Sequence, residues 1–572
     1  MIIDNIKEDF YDVIISERIL VLVALDVDAL CACRIVKNLF QQDNVQYTIV
    51  PVSGIDNIKE VYDEHKEQIK YFLLINCGGN IDFDVLEADE DSTFFIVDSH
   101  RPLDLNNVFK EQIKILIKEG DATIDEIPDP EKVIEYEDDN EGEEEEQNKE
   151  NENSDSEDDN PDEPSSKRQK TSNVSYLEKQ VKKKRWATER EKLLDEYYEC
   201  SYYGSSTALT LYDLAWKLTK DNNDLLWLAI VGLTEQYLFS KIEGEKYFED
   251  CTGIKDHVIR HNMTDDEHTQ SVACMKIVFE KELRLGMYRH WSLFESFMNS
   301  RYTVCGLRLF TMKGRKRLHE LFADIGLPIV QCKQKYSSMD VEIRKDVKGW
   351  IEGIAEKYGM DDISFGSFAS QYGYKTKICA EDMVCAISAL LEYAREDISF
   401  SDQFVDALDA LNRSSIDQLN GAIELGKKQV SSMVSQVRSF IDSHQIACAG
   451  PFLYAHILEG SPTAYIFAKP CIIGRLARFT LEVYSTMTKQ KKARSLPFVL
   501  AVPSDLEEGM SLLVGVPPVG ESSIKSFFGA AFKQAGEKTR SRVRHDFFDP
   551  TVIEIKTEDR SKFFDNLAAL MA

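Results

Sequence analysis

Residues 19–40 read ILVLVALDVDALCACRIVKNLF. The stretch Ile19–Leu25 has no polar side chain, which suits a strand covered on both faces. Asp26 and Asp28 follow it, and from Ala29 to Phe40 apolar residues recur at helical spacing. A buried strand that passes through an acidic turn into a helix opens a strand–helix–strand unit. The pattern continues outward. Tyr47–Val52, Tyr71–Asn76 and Thr93–Val97 read as further buried strands, and Ile58–Ile69 as a helix between them. The alternation predicts an α/β fold with a parallel sheet covered on both faces.

In such a sheet, loops converge at the carboxyl ends of the strands, where ligands gather. Asp26 and Asp28 follow the first of these strands, Asn76-Cys77-Gly78-Gly79 the third, and Asp98-Ser99-His100 the fourth. Converging Asp and His residues suit Mg²⁺ or Mn²⁺, which activate water and clamp phosphate oxygens. Alternatively, the same residues cap helices and anchor loops through hydrogen bonds. No G-x-x-x-x-G-K-[ST] loop is present, so the chain shows no ATP motor of its own.

Beyond this domain the pattern changes. The 572 residues carry a net charge of −31, but residues 135–163 hold 17 acids against Lys149 alone, so the rest carries −15. This balance argues against a chain-wide attraction to nucleic acid or anionic membrane. Residues 127–175 lack the apolar content to fold and are expected to form an acidic, disordered loop. Ser154 and Ser156 each precede an acid by three residues, the pattern an acid-directed kinase prefers. Lys167-Arg168 and Lys182, Lys183, Lys184 and Arg185 resemble a two-part nuclear import signal, or else form a basic helix start. Trp186 to about Met298 reads as helical, and residues 300–400 as smaller helices. A long helix at Gln418–His444 then leads into a second α/β segment, with strands expected at Phe452–Leu458, Tyr465–Ala468, Phe498–Val502, Ser511–Val516 and Val552–Ile555.

The twelve cysteines include no C-x-x-C pair, so a zinc site is not expected. The first twelve residues contain Asp4, Glu8, Asp9 and Asp12 and lack the order of a signal peptide. Scattered thiols then imply a reducing compartment, and no apolar run is long enough to span a bilayer. For nucleic acid the sequence offers one basic segment, Lys525, Lys533, Lys538, Arg540, Arg542 and Arg544, interleaved with Phe527, Phe528 and Phe532. Its charges could follow phosphates and its rings stack bases, or the rings could be core residues of an amphipathic helix. Leu321, Phe322, Ile325 and Leu327 form an apolar group that could dock a partner or fill a small core.

The strand-end motifs resemble those of the DHH phosphoesterase superfamily, which includes the RecJ exonucleases. Against the superfamily pattern D-x-D-x-D-G, Ala24 replaces the first Asp and Ala29 the Gly; Asn76 stands at the second-motif Asp, and Ser99 replaces one His. Glu235 stands where a later acid is expected. With three ligands lost, the pattern implies a vestigial cluster of Asp26, Asp28, Asp98 and His100, no paired metal, no cofactor and no catalysis. The alternative is a metal-dependent single-strand nuclease that still uses those four residues. Longer blocks narrow the likeness: LDVDALCAC (25–33), DSHRP (98–102), YGSSTA (203–208), HWSL (290–293), LFADIGLP (321–328), GPFLY (450–454) and DRSKF (559–563). They are similar to the cell division cycle protein 45 family. That resemblance implies a nuclear, non-catalytic subunit of the replicative helicase, which joins the minichromosome-maintenance ring and GINS, meets DNA polymerases and binds single-stranded DNA. It also implies a plan of domains: a DHH-like domain in two parts (1–126 and 176–299) around the acidic loop, a helical insert (300–400), and a linker helix with a DHH-associated domain (401–572).

Overall fold

The computed structural model describes every residue except 4, 135–165, 266–274, 373–375, 394–397, 506 and 521–523. Ser154 and Ser156, and most of the acidic loop, lie outside the described residues. The described chain forms two compact units, one of residues 1–121 and 200–572 and one of residues 122–199.

In the larger unit, Arg18–Val23, Tyr71–Ile75 and Thr93–Val97 are buried strands, as their apolar runs predicted, while Gln46–Pro51, also expected to be buried, is a half-buried strand at the sheet edge. Ile2–Ile3 and Ile113–Leu116 add two that the sequence pattern did not announce. All six pair in parallel, in the order 2–3, 113–116, 93–97, 71–75, 18–23, 46–51. Strand 18–23 lies next to the edge, paired on both sides by 71–75 and 46–51, and Leu20, Leu22 and Val23 are fully buried. The helix Val27–Asp43 packs chiefly on Thr207–Lys217 and on the almost wholly buried Asn223–Leu238, which return from far along the chain.

The second α/β region holds a six-stranded mixed sheet ordered 447–448, 453–456, 498–505, 510–516, 552–556, 543–544. One face packs against the helix Pro470–Met487 through Leu476 and Phe479. The other packs on Phe528 and Phe532 of the helix Phe528–Thr539 and Phe563 and Leu567 of Arg560–Met571.

Three expectations fail. Residues 275–283 form a strand rather than a helix, and with Ser364–Tyr372 and Thr376–Cys379 they make an antiparallel sheet inside the region expected to be helical. The sequence MKIVFEKEL buries Met275 and Ile277 while exposing Lys276, a period of two at its start that blurs over the rest. Tyr465–Ala468 is not a strand; Ala464–Phe467 is a helical turn leading to the proline-started helix at 470. Short apolar runs do not separate strand from helix by pattern alone. Finally, the expected loop does not extend to residue 175, because a helix runs over Ser166–Tyr198. Its Lys-, Gln- and Glu-rich sequence favours helix without needing a core. Lys182, Lys183, Lys184 and Arg185 are exposed on this helix, and Lys167 and Arg168 lie at its start.

Candidate functional site

The carboxyl ends of the central strands bring Asp26, Asp28, Asn76, Asp98, Ser99 and His100 together, all buried. Asp26 caps the helix Val27–Asp43, accepting from the Ala29 amide at 2.7 Å. Asp28 is fully buried and reaches the start of the helix Thr207–Lys217. There it accepts from Ser206 Oγ at 2.6 Å, the Thr207 amide at 2.8 Å and the Ala208 amide at 3.0 Å. Burial and the charge of Asp26 push the Asp28 carboxyl up, while these bonds pull against them. Gly232 makes the approach feasible, since a Cβ there would lie 2.4 Å from Asp28 Oδ1.

Asn76 sits between the two aspartates with a left-handed backbone (φ 53°), a conformation Asn tolerates. Its amide nitrogen donates to Asp26 Oδ1 at 3.1 Å and faces Asp28 Oδ2 at 3.4 Å. Its oxygen accepts from the Ser99 amide at 3.0 Å and from the Thr207 hydroxyl. At this position a carboxylate could only accept, whereas the amide donates to two acids and accepts from two donors. Ala24 is buried beside them and brings no ligand.

Asp98 is bonded on both oxygens. One accepts from the Gly78 and Gly79 amides at 3.1 and 2.7 Å, the other from the His100 amide and Nδ1 at 2.8 and 2.7 Å. Burial alone would raise this carboxyl, but the His100 charge and these bonds overcome it and hold Asp98 at about 2, below the usual 3.8. Burial likewise works against the charge on His100, and Asp98 reverses it, raising the imidazole. A carboxyl depressed on folding adds stability above its unfolded value, lost as pH falls toward the folded one. The stability difference between wild type and Asp98→Asn is therefore expected to shrink by about 2 kcal/mol between pH 6 and pH 2. Urea denaturation across that range measures it, and a difference independent of pH would show that the pair carries no charge.

Glu235, the expected later acid, is 1% exposed near the end of the helix Asn223–Leu238. Sequence reasoning missed its partner: Lys241, whose Nζ lies 2.9 Å from Glu235 Oε1. Burial, more than any partner, shifts Glu235, up to about 7, with Lys241 restraining it. Burial also opposes the Lys241 charge, yet Glu235 and then Asp26 raise it well above the ordinary lysine value. An ammonium thus supplies the positive charge that the cluster of acids requires. The only sequence signal for it was a lysine six residues beyond Glu235, past the end of the apolar helix.

These residues do not fit a metal pair. Asp28 and Asp98 are bonded to amides, hydroxyl or imidazole, an amide bridges Asp26 and Asp28, and Lys241 repels a cation. Among the described residues, no three His, Cys, Asp or Glu side chains are placed to hold an ion. Cys31 and Cys33 are buried in the helix after Asp26, and burial raises both thiols, Cys33 to about 12.

The other expected sites fare differently. Leu321, Phe322 and Leu327 are not a docking surface: they are core residues, with Phe322 edge-on to Phe297 at 5.4 Å, and Ile325 packs half-buried beside them. An amphipathic helix, Met312–Ile325, turns that face inward. In the basic segment, Phe528 and Phe532 are fully buried and unavailable to bases. Arg542 pairs with Asp559 and Glu558, and Arg544 lies 3.6 Å from Glu508. Lys525 covers the Tyr202 ring at 4.4 Å, and Lys533, Lys538 and Arg540 are exposed.

An open parallel α/β domain with an acid cluster at its strand ends, followed by helices and a mixed-sheet α/β domain, defines the class. This is the fold of the crystal structure of CDC45 from Entamoeba histolytica, with a TM-score of 0.70 at 22% identity over 100% of both chains. The CDC45 family model matches residues 19–570, and the chain belongs to that family. The cell division control protein 45 homologs of Mus musculus and Homo sapiens are 43% and 42% identical to it over 100% of each chain. That of Schizosaccharomyces pombe is 31% identical over 96% of this chain and 95% of its own.

Proposed function

We propose that this chain is a non-catalytic subunit of the replicative helicase, working in the nucleus. It joins the minichromosome-maintenance ring and GINS, meets DNA polymerases and other replisome factors, and contacts single-stranded DNA. Family membership along the whole chain supports the assembly role. The observation that carries the non-catalytic reading is the Asp26–Asn76–Asp28 bridge with the Glu235–Lys241 pair beside it. Both occupy with protein donors the acids that a hydrolytic metal pair would need. Among the described residues, no helix is long and apolar enough to cross a membrane. For strand contact the exposed Lys533, Lys538 and Arg540 remain the candidates, acting on phosphates alone.

Capture of the tagged full-length chain from nuclear extract, with a Mn²⁺ nuclease assay on the purified protein, tests this reading. Ring and GINS subunits should be recovered, and no cleavage should be seen. Recovery of DNA without those subunits would overturn the assembly role. Cleavage that is lost in Asp26→Ala would overturn the non-catalytic one.

A further inference from the structure

The helix Met312–Ile325 turns its apolar face into the core and begins with a dense group of cations. Residues 308–319 hold Arg308, Lys313, Arg315, Lys316 and Arg317 and no acid, in a chain whose net charge is −31. The start of a helix carries positive partial charge, so acids are stabilising there and bases oppose the dipole. Here the first turn has no acid, and Lys313 stands within it. Gly314 lets this turn press against the preceding segment, because a Cβ there would collide with the Arg308 carbonyl. Arg308, exposed and with a left-handed backbone, is thereby held beside the helix start.

A second helix brings another guanidinium to this end. Arg315 stands one and two turns ahead of the core residues Leu318 and Phe322, on the inward stripe of its helix. Arg438 follows Val434 by one turn and adjoins Val437 on the helix Ile416–Asp442, whose last turns pack into the same core. Both arginines are half-buried at the rim of that core. Burial, then the Arg315 charge, push the Arg438 guanidinium down, and Asp442 works against them. Among the described residues, neither arginine has a hydrogen bond or an ion pair, with Asp442 or any other group. The Nε of each is buried without a partner, whereas the terminal Nη nitrogens are neither bonded nor buried. Arg308, Lys313 and Lys316 are exposed and, among the described residues, unpaired as well.

Two like charges from different helices, with no carboxylate paired to either, favour an anion that both can hold. A phosphate monoester carries close to two negative charges at neutral pH and three acceptor oxygens, so it suits a pair of guanidiniums better than a singly charged phosphodiester does. Binding of a single strand also draws on exposed rings, and the one Phe of the helix Met312–Ile325, Phe322, is fully buried. Met312, 73% exposed beside the cations, offers apolar contact to a flanking side chain instead. We infer that Arg315 and Arg438 bind a phosphoserine or phosphothreonine in an acidic segment of a protein partner, with Arg308, Lys313 and Lys316 attracting the acids around it. Binding here is independent of the assembly and the strand contact proposed above.

Fluorescence anisotropy with the full-length chain tests this. The probe is fluorescein-labelled Leu-Asp-Asp-pSer-Asp-Glu-Leu, and its unphosphorylated form is the comparison. The phosphorylated peptide should bind at least tenfold more tightly. Arg315→Gln and Arg438→Gln should each erase most of that preference without lowering the melting temperature, because each removes a half-buried cation that has no partner. Lys357→Gln, which removes an exposed cation already paired with Asp324, should leave the preference intact. The comparison of the two peptides on wild type needs no variant, so it stays decisive if either arginine substitution lowers the melting temperature. A labelled single-stranded oligothymidylate is titrated in parallel, and its affinity should be the same for wild type and both arginine variants. No binding, equal binding of the two peptides, or a phosphate preference that survives both arginine variants would overturn the proposal. So would a loss of oligothymidylate binding in those variants as large as the loss of peptide binding, which would assign the patch to nucleic acid.

Discussion

Lys241→Met is expected to lower the unfolding free energy by about 3–5 kcal/mol near pH 8, because the buried Glu235 must then either keep its charge with no counter-ion or take up a proton that the unfolded chain would release. The side chains of Glu235 and Lys241 are 2% and 14% exposed, so water cannot take the place of the ammonium. Methionine fills most of the lysine stem's volume, which keeps the packing term small. The defect should depend on pH with a definite sign. Without Lys241 the folded Glu235 carboxyl rises above its value of about 7, away from 4.5 in the unfolded chain. A carboxyl raised on folding loses stability as pH climbs from the unfolded value to the folded one. The loss should therefore be small near pH 5, where the acid is protonated, and grow toward pH 8.

Removing both members of the pair separates a structural ion pair from a site kept for binding an ion. Glu235→Leu with Lys241→Met should recover most of the lost stability, since neither charge then remains to be solvated. Urea denaturation of wild type, single and double variants at pH 5 and pH 8 measures this. A single variant within about 1 kcal/mol of wild type at pH 8 would refute the counter-ion role. A double variant as unstable as the single one would do the same.

The sequence exposed the parts of the fold whose burial is one-dimensional. Strand 18–23 and the helix after it were legible because a parallel strand covered on both faces shows as an unbroken apolar run. Strand 275–283 was not, since its alternation fades after Ile277 and its partner strand lies about ninety residues further on. At the site, Asp26, Asp28, Asp98 and His100 were visible because loops after adjacent strands must converge. Lys241 was invisible because its partner is set by where the helix Asn223–Leu238 ends in space, not by spacing along a motif. The apolar group at 321–327 failed as a docking site for a related reason. An apolar helical face reads the same whether it turns inward or outward, and Phe297 decided which. The basic segment at 525–544 showed its charges but not the acids of 558–559 that neutralise one of them.

Asn76→Asp tests the proposed non-catalytic role most directly, because it places a carboxylate between Asp26 and Asp28, where the amide now donates to both. If the remaining residues still formed a metal site, the variant would gain affinity for a divalent ion. The geometry leads to the opposite expectation. The amide nitrogen of Asn76 lies 3.1 Å from Asp26 and 3.4 Å from Asp28, so an aspartate would set a third carboxylate against two others. It would also remove the donor that holds them apart. Like charges at this range cannot all ionise, and Asp28 is already pushed toward its neutral form. A loss of about 3 kcal/mol or more is expected at pH 7, shrinking in acid as the three groups share protons. A bound ion at 100 times its dissociation constant would return about 2.7 kcal/mol. Mn²⁺ at about 1 mM should nevertheless raise the melting temperature of the variant no more than that of wild type. Lys241 keeps its positive charge beside the cluster, and Ala24 and Ser99 still supply no ligand. Selective rescue by Mn²⁺, with cleavage of single-stranded DNA, would mean that one substitution separates this chain from a working two-metal site, and the non-catalytic reading would fall with it.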